Sequence, residues 1–96
     1  ARRRLSAREW QAIQTDLGRI DSASRRGPWT LETLTLLERH PGVRAADLAP
    51  RLARDTLAFK RDIRLLKELG LTESLEVGYR LSPRGRAALA MFRTRR

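Results

Sequence analysis

The 96-residue sequence has no cysteine, one histidine, one methionine and an aromatic content of only 5%. Without cysteine there is no disulfide framework, no thiolate-ligated zinc and no thiol nucleophile. His40 stands beside Pro41 with no second His and no Cys to complete a ligand set, so no metal is expected. No Ser, His and Asp constellation, paired-carboxylate pattern or phosphate-cradling Gly-rich loop is visible, and neither catalysis nor a cofactor is expected. No apolar run approaches the roughly 20 residues that cross a bilayer, and no signal-peptide core follows the basic start. The expectation is a soluble cytoplasmic chain with no membrane contact.

What is present is charge and leucine. Twenty-one basic residues against 11 acidic ones leave a formal net charge of +10, which points to a polyanionic partner, nucleic acid first. All but Lys60 and Lys67 of the basic residues are Arg, a bias better ascribed to a GC-rich genome than to forked phosphate recognition. The length suits one compact domain, and the leucines recur at helical spacing.

Ser6 and Glu9 stand at capping-box spacing, with Leu5 and Trp10 placed for a hydrophobic staple, and so predict a helix start. Its apolar face is Trp10, Ile13, Leu17 and Ile20, suited to the core or to a partner helix. Residues 21–28, polar and broken by Gly27 and Pro28, read as a connection to a second helix over 30–39, with Leu31, Leu34, Leu36 and Leu37 inward and Pro41-Gly42 as its end. A third helix is expected over 45–53, short or bent because Pro50 lacks a backbone donor and crowds Ala46. Asp55 is placed to cap a fourth helix reaching Leu69, with Phe59, Ile63, Leu66 and Leu69 on one face and Gly70 as its stop. Over 71–81 the pattern shifts to alternation, predicting a short hairpin that reverses at Val77-Gly78. Ser82-Pro83 then opens a final helix, with Leu89 inward, running into Arg93, Arg95 and Arg96.

The expected fold class is mainly α with a small β-hairpin wing and about five helices. The element order, together with Leu48-Ala49, Ala53, Leu66-Lys67-Glu68-Leu69-Gly70-Leu71 and Leu81-Ser82-Pro83-Arg84-Gly85, resembles the winged helix-turn-helix superfamily over residues 43–90, with the spacing of MarR-like and ArsR-like bacterial regulators. The resemblance divides the chain into a basic segment, helix and linker over 1–29, a winged helix-turn-helix domain over 30–92 and a basic tail over 93–96. More narrowly, Gly27-Pro28-Trp29, the run Gly42 through Leu48 and the run Leu71 through Leu81 resemble the C-terminal part of actinobacterial proteins that begin with an ASCH domain. That likeness implies an ASCH portion upstream of residue 1, where the chain opens on Ala rather than Met.

The superfamily resemblance implies binding of double-stranded DNA through the fourth helix by a bacterial transcription regulator located at the nucleoid, or by the DNA-binding module of a larger protein. With its apolar face committed to the core, the fourth helix offers Thr56, Leu57, Lys60, Arg61 and Arg64 to a major groove, Lys60 and Arg61 being the first choices for base contact. Arg44, Arg51, Arg80 and Arg84 are candidates for the phosphate backbone. Glu73 and Glu76 give the wing an acidic character, and Asp62 interrupts the basic face. Trp10 and Trp29 read as core anchors rather than base-stacking residues. Two alternatives stand beside DNA binding. One is a winged helix used for protein interaction or homodimerisation, through the stripe from Trp10 to Ile20 and the last helix. The other is binding of RNA or modified nucleic acid, which the ASCH likeness implies.

Overall fold

The computed structural model describes residues 4–94, so Arg2, Arg3, Arg95 and Arg96 lie outside the described residues. Five α-helices and one two-stranded antiparallel sheet are present among the described residues. α1 (Ala7–Ala23) begins with the capping box its sequence spells: Glu9 N donates to Ser6 Oγ at 3.1 Å, and Ser6 N donates to Glu9 Oε1 at 3.1 Å. Trp10, Ile13 and Leu17 are buried and Ile20 is half-buried, so this stripe serves the chain's own core. The core cluster containing Ile13 and Leu17 also holds Trp29, Phe59 and Leu89, and it runs across the division expected at residue 29.

α2 (Thr30–Arg39) starts under a long-range cap that local spacing does not reveal. Asp21, near the end of α1, accepts from Trp29 N at 2.8 Å, Thr30 N at 3.1 Å and Thr30 Oγ1 at 2.7 Å, fixing the turn between the two helices. Leu34, Leu36 and Leu37 are buried as expected. Leu31 is 41% exposed, and the small side chains of Thr30 and Thr33 take inward positions instead.

Pro50 has the expected effect on the third helix. α3 (Ala45–Leu48) passes into a 3₁₀ turn (Ala49–Leu52), which ends on Ala53 with φ 51° in the left-handed region. A small residue suits that conformation because a longer side chain adds crowding at positive φ. α4 (Thr56–Glu68) follows at once, capped by Asp55, whose Oδ2 accepts from Ala58 N at 3.1 Å. It closes with Gly70 at φ 75°, where Gly70 N donates to the Lys67 carbonyl and Leu71 N to the Leu66 carbonyl, the two bonds of a Schellman end.

The wing is β1 (Thr72–Ser74) against β2 (Tyr79–Leu81), with Glu73 opposite Arg80. The reversal spans residues 75–78, wider than the tight Val77-Gly78 turn expected, and Leu75 falls outside β1. Val43 adds a single antiparallel bridge to Tyr79, and Gly42 N donates to the Tyr79 carbonyl at 2.8 Å, so the segment between α2 and α3 lies beside β2. Gly78 permits this approach: at φ 75° a Cβ there would sit 2.5 Å from backbone atoms of Gly42 and Val43.

α5 (Pro83–Thr94) is capped by Ser82, whose Oγ accepts from Gly85 N at 2.9 Å and donates to the Gly70 carbonyl. Its first turn therefore lies against the end of α4, and Ala88 and Leu89 complete the core. No helix among the described residues is long and apolar enough to cross a membrane.

Candidate nucleic-acid interface

On a helix of 3.6 residues per turn, positions 58, 59, 62, 63 and 66 of α4 face one way and 57, 60, 61 and 64 the other. Ala58, Phe59, Asp62, Ile63 and Leu66 are the buried set. Leu57, Lys60, Arg61 and Arg64 are all exposed, with Thr56 half-buried at the first position. Asp62 thus departs from the expectation that it interrupts the outer face. It is 7% exposed and belongs to the inner side, because it stands three residues after Phe59 and four from both Ala58 and Leu66, all of them buried.

Asp62 is held there by two guanidinium groups. Arg26, from the turn between α1 and α2, reaches Oδ2 at 2.8 Å, and Arg54, from the turn before α4, reaches Oδ2 at 3.0 Å and Oδ1 at 3.3 Å. Arg26 also stacks over the Trp29 ring at 5.2 Å. Neither arginine is legible as a partner of Asp62 from spacing alone, since Arg26 is 36 residues away. The cluster borders a cavity of about 500 Å³, also lined by Ile20 and Leu65, on the flank of α4 away from Lys60.

The outer cations of α4 are unpaired among the described residues, as are the scattered Arg8, Arg25 and Arg39. Lys60, Arg61 and Arg64 form no side-chain hydrogen bond or ion pair among the described residues, and Arg44 at the start of α3 forms none either. Arg80 lies 2.8 Å from Glu73 across the hairpin, and Arg93 grips Glu38 of α2 through two bonds at 3.0 and 2.8 Å. Arg51 is exposed, its Nη1 lying 3.4 Å from His40 Nε2.

Arg84, expected at the phosphate backbone, is engaged within the fold. Its Nε donates to the Leu69 carbonyl at 3.0 Å, one of the carbonyls left open at the end of α4, and its Nη1 meets Glu9 at 2.8 Å. The guanidinium ties the starts of α1 and α5 to the end of α4 and is spent on that junction.

Between α3, the first turns of α4 and the hairpin runs a groove of about 360 Å³, lined by Arg44, Thr56, Lys60, Glu76, Gly78 and Tyr79. The structure therefore brings Arg44, Thr56 and Lys60 together with the wing. Glu76 contributes the one carboxylate of that groove. The remaining large exposed apolar side chains are Leu57 (69%) on α4, Leu65 (42%) on the same helix and Val77 (47%) at the hairpin tip; apart from Leu31 on α2, these are the only ones among the described residues, and α1 and α5 carry none. Trp10 and Trp29 are buried, in line with their expected role as core anchors. Among the described residues no group of His, Asp and Glu is placed to hold a metal ion.

No protein-family model, curated protein or solved structure matches the chain. The class of protein is accordingly set by its own shape, a mainly helical fold with a small β-hairpin wing.

Proposed function

We propose that the chain is a winged helix-turn-helix module that binds double-stranded DNA by laying the outer face of α4 in the major groove. One observation carries this reading: Lys60, Arg61 and Arg64 stand exposed and unpaired on one face of α4, while Asp62, the acid that interrupts them in sequence, is turned inward and neutralised by Arg26 and Arg54, and Glu68, one turn beyond Arg64, forms no ion pair with them among the described residues. A helix whose outer cations have no internal partner, on a chain of net charge +10, is suited to a polyanion. Arg61 and Lys60 address base edges, Arg64 and Arg44 the flanking phosphates, and Thr56 the phosphate nearest the start of the helix. Arg51 and Arg80 contribute at the margins, and Arg84 does not take part. The setting that goes with this reading is a bacterial regulator at the nucleoid, or the DNA-binding part of a larger protein.

The two alternatives gain less support. The stripe Trp10, Ile13 and Leu17 that would serve a homodimer is buried in the core. An RNA reading, with or without an ASCH domain upstream, would be served by exposed aromatic side chains for stacking. Among the described residues Trp10, Trp29 and Phe59 are buried, while Tyr79 and Phe92 are half-buried.

The test is duplex binding followed by fluorescence anisotropy across a salt series. Replacing Lys60, Arg61 and Arg64 by Ala is expected to weaken binding and to flatten the slope of log K against log salt by about 0.9 for each phosphate no longer neutralised. Equal affinity and slope for parent and triple variant would refute the assignment of α4 as the contact helix.

A further inference from the structure

Leu57 is the most exposed large apolar side chain among the described residues, at 69%, and it occupies the first turn of α4. Its neighbours on the helix surface are the residues three, four and seven positions on, which are Lys60, Arg61 and Arg64. All three are exposed. The next exposed apolar residue on the helix, Leu65, lies more than two turns away toward the inner flank. Leu57 is therefore an isolated apolar point inside a cationic surface, without the contiguous apolar area that a protein partner's core contact needs.

The partner that fits must be polyanionic around the point and apolar at it. A DNA major groove meets both conditions: phosphates line its walls, and the C5-methyl of thymine is the apolar group displayed on its floor. The first turn of a helix seated in the groove is also the part that comes closest to base edges. We infer that Leu57 is a specificity-determining residue that packs on a thymine methyl group, so that the chain prefers a thymine beside the base pair contacted by Lys60 or Arg61. This inference rests on the major-groove reading of α4 and names what that helix reads. It also accounts for a Leu at a position where a further Lys or Arg would add affinity for any sequence.

The experiment uses the 96-residue chain. Duplexes are first selected from a random pool, and each thymine of the selected site is then exchanged singly for uracil, which removes only the methyl group. The expected result is one thymine whose exchange weakens binding by about fourfold, the worth of burying one methyl. L57A should bind the thymine and uracil duplexes equally. Leu57→Met, which keeps an apolar tip, should retain most of the preference. As Leu57 is a surface residue, both variants should keep the parental circular dichroism and melting curve. Duplex binding without any thymine to uracil difference, a difference that persists in L57A, or a selection that returns no preferred sequence would each overturn the inference while leaving a DNA-binding α4 intact. Absence of duplex binding altogether would instead overturn the reading beneath it.

Discussion

Gly85 and Gly18 are both helical glycines, and replacing each by Ala should change stability in opposite directions. Helix propensity alone favours Ala over Gly by up to about 1 kcal/mol at an interior helical site. At Gly18, in the middle of α1, an added Cβ meets nothing within 4 Å, so G18A should gain stability by about 0.5–1 kcal/mol. Gly85 sits in the first turn of α5, and there an added Cβ would overlap the Leu71 carbonyl oxygen and lie 2.9 Å from its carbon. The Leu71 backbone has little room to yield, since its N donates to the Leu66 carbonyl at 3.0 Å and its carbonyl accepts from Ser82 N at 3.1 Å. Restoring a separation of about 3.5 Å requires α5 to move outward by roughly 1 Å or more. That motion strains the Ser82 N to Leu71 bond and the Ser82 Oγ to Gly70 bond, each worth about 1 kcal/mol, and adds an overpacking cost of about 1–3 kcal/mol. Against the propensity gain, the net loss for G85A is about 2–4 kcal/mol. Urea unfolding followed by circular dichroism measures it directly, and in a domain of this size the melting temperature should fall by roughly 4–8 °C per kcal/mol. A G85A variant as stable as the parent would show that α5 does not rest on the Leu71 backbone.

Three further outcomes follow from other parts of the fold. Asp62→Ala removes the carboxylate shared by Arg26 and Arg54, and should cost about 1–3 kcal/mol, below the figure for a fully buried pair because both arginines are part-exposed; chemical denaturation that shows no change would mean the cluster is idle. Glu76→Gln takes the carboxylate out of the groove beside Arg44 and Lys60, and should tighten duplex binding roughly two- to fivefold at low salt, as expected for one exposed charge; unchanged affinity would mean the wing tip stays clear of the duplex. The side-chain hydrogen bonds from Arg93 hold the Glu38 carboxyl below its ordinary range, so the pair stabilises the fold above the unfolded-state pKa of Glu38 and loses that contribution as pH falls through the folded value. The effect is small because both side chains face solvent, and Glu38→Gln should make acid unfolding slightly less steep while leaving it otherwise unchanged.

Local chemistry determined a large part of this protein. The capping box of Ser6 and Glu9, the Asp55 cap, the Pro50 interruption, the Gly70 stop and the Ser82-Pro83 start each act within a few residues, so each was legible in the chain, and together with apolar spacing they specify the helices and the wing. Lys60, Arg61 and Arg64 were legible as an outer face for the same reason, because helical periodicity assigns them opposite Phe59, Ile63 and Leu66. Tertiary structure alone decided what depends on distant partners. Periodicity places Asp62 on the inner side of α4, but it is neutralised only when Arg26 and Arg54 fold onto it, and Arg84 leaves the set of free cations only when Glu9, 75 residues away, and the end of α4 meet it. The stripe of α1, equally suited by pattern to a partner or to a core, was assigned to the core once the other helices supplied apolar surface to cover it. Periodicity fixes the direction of a side chain about its own axis, but which charges remain unpaired is a property of all the elements together.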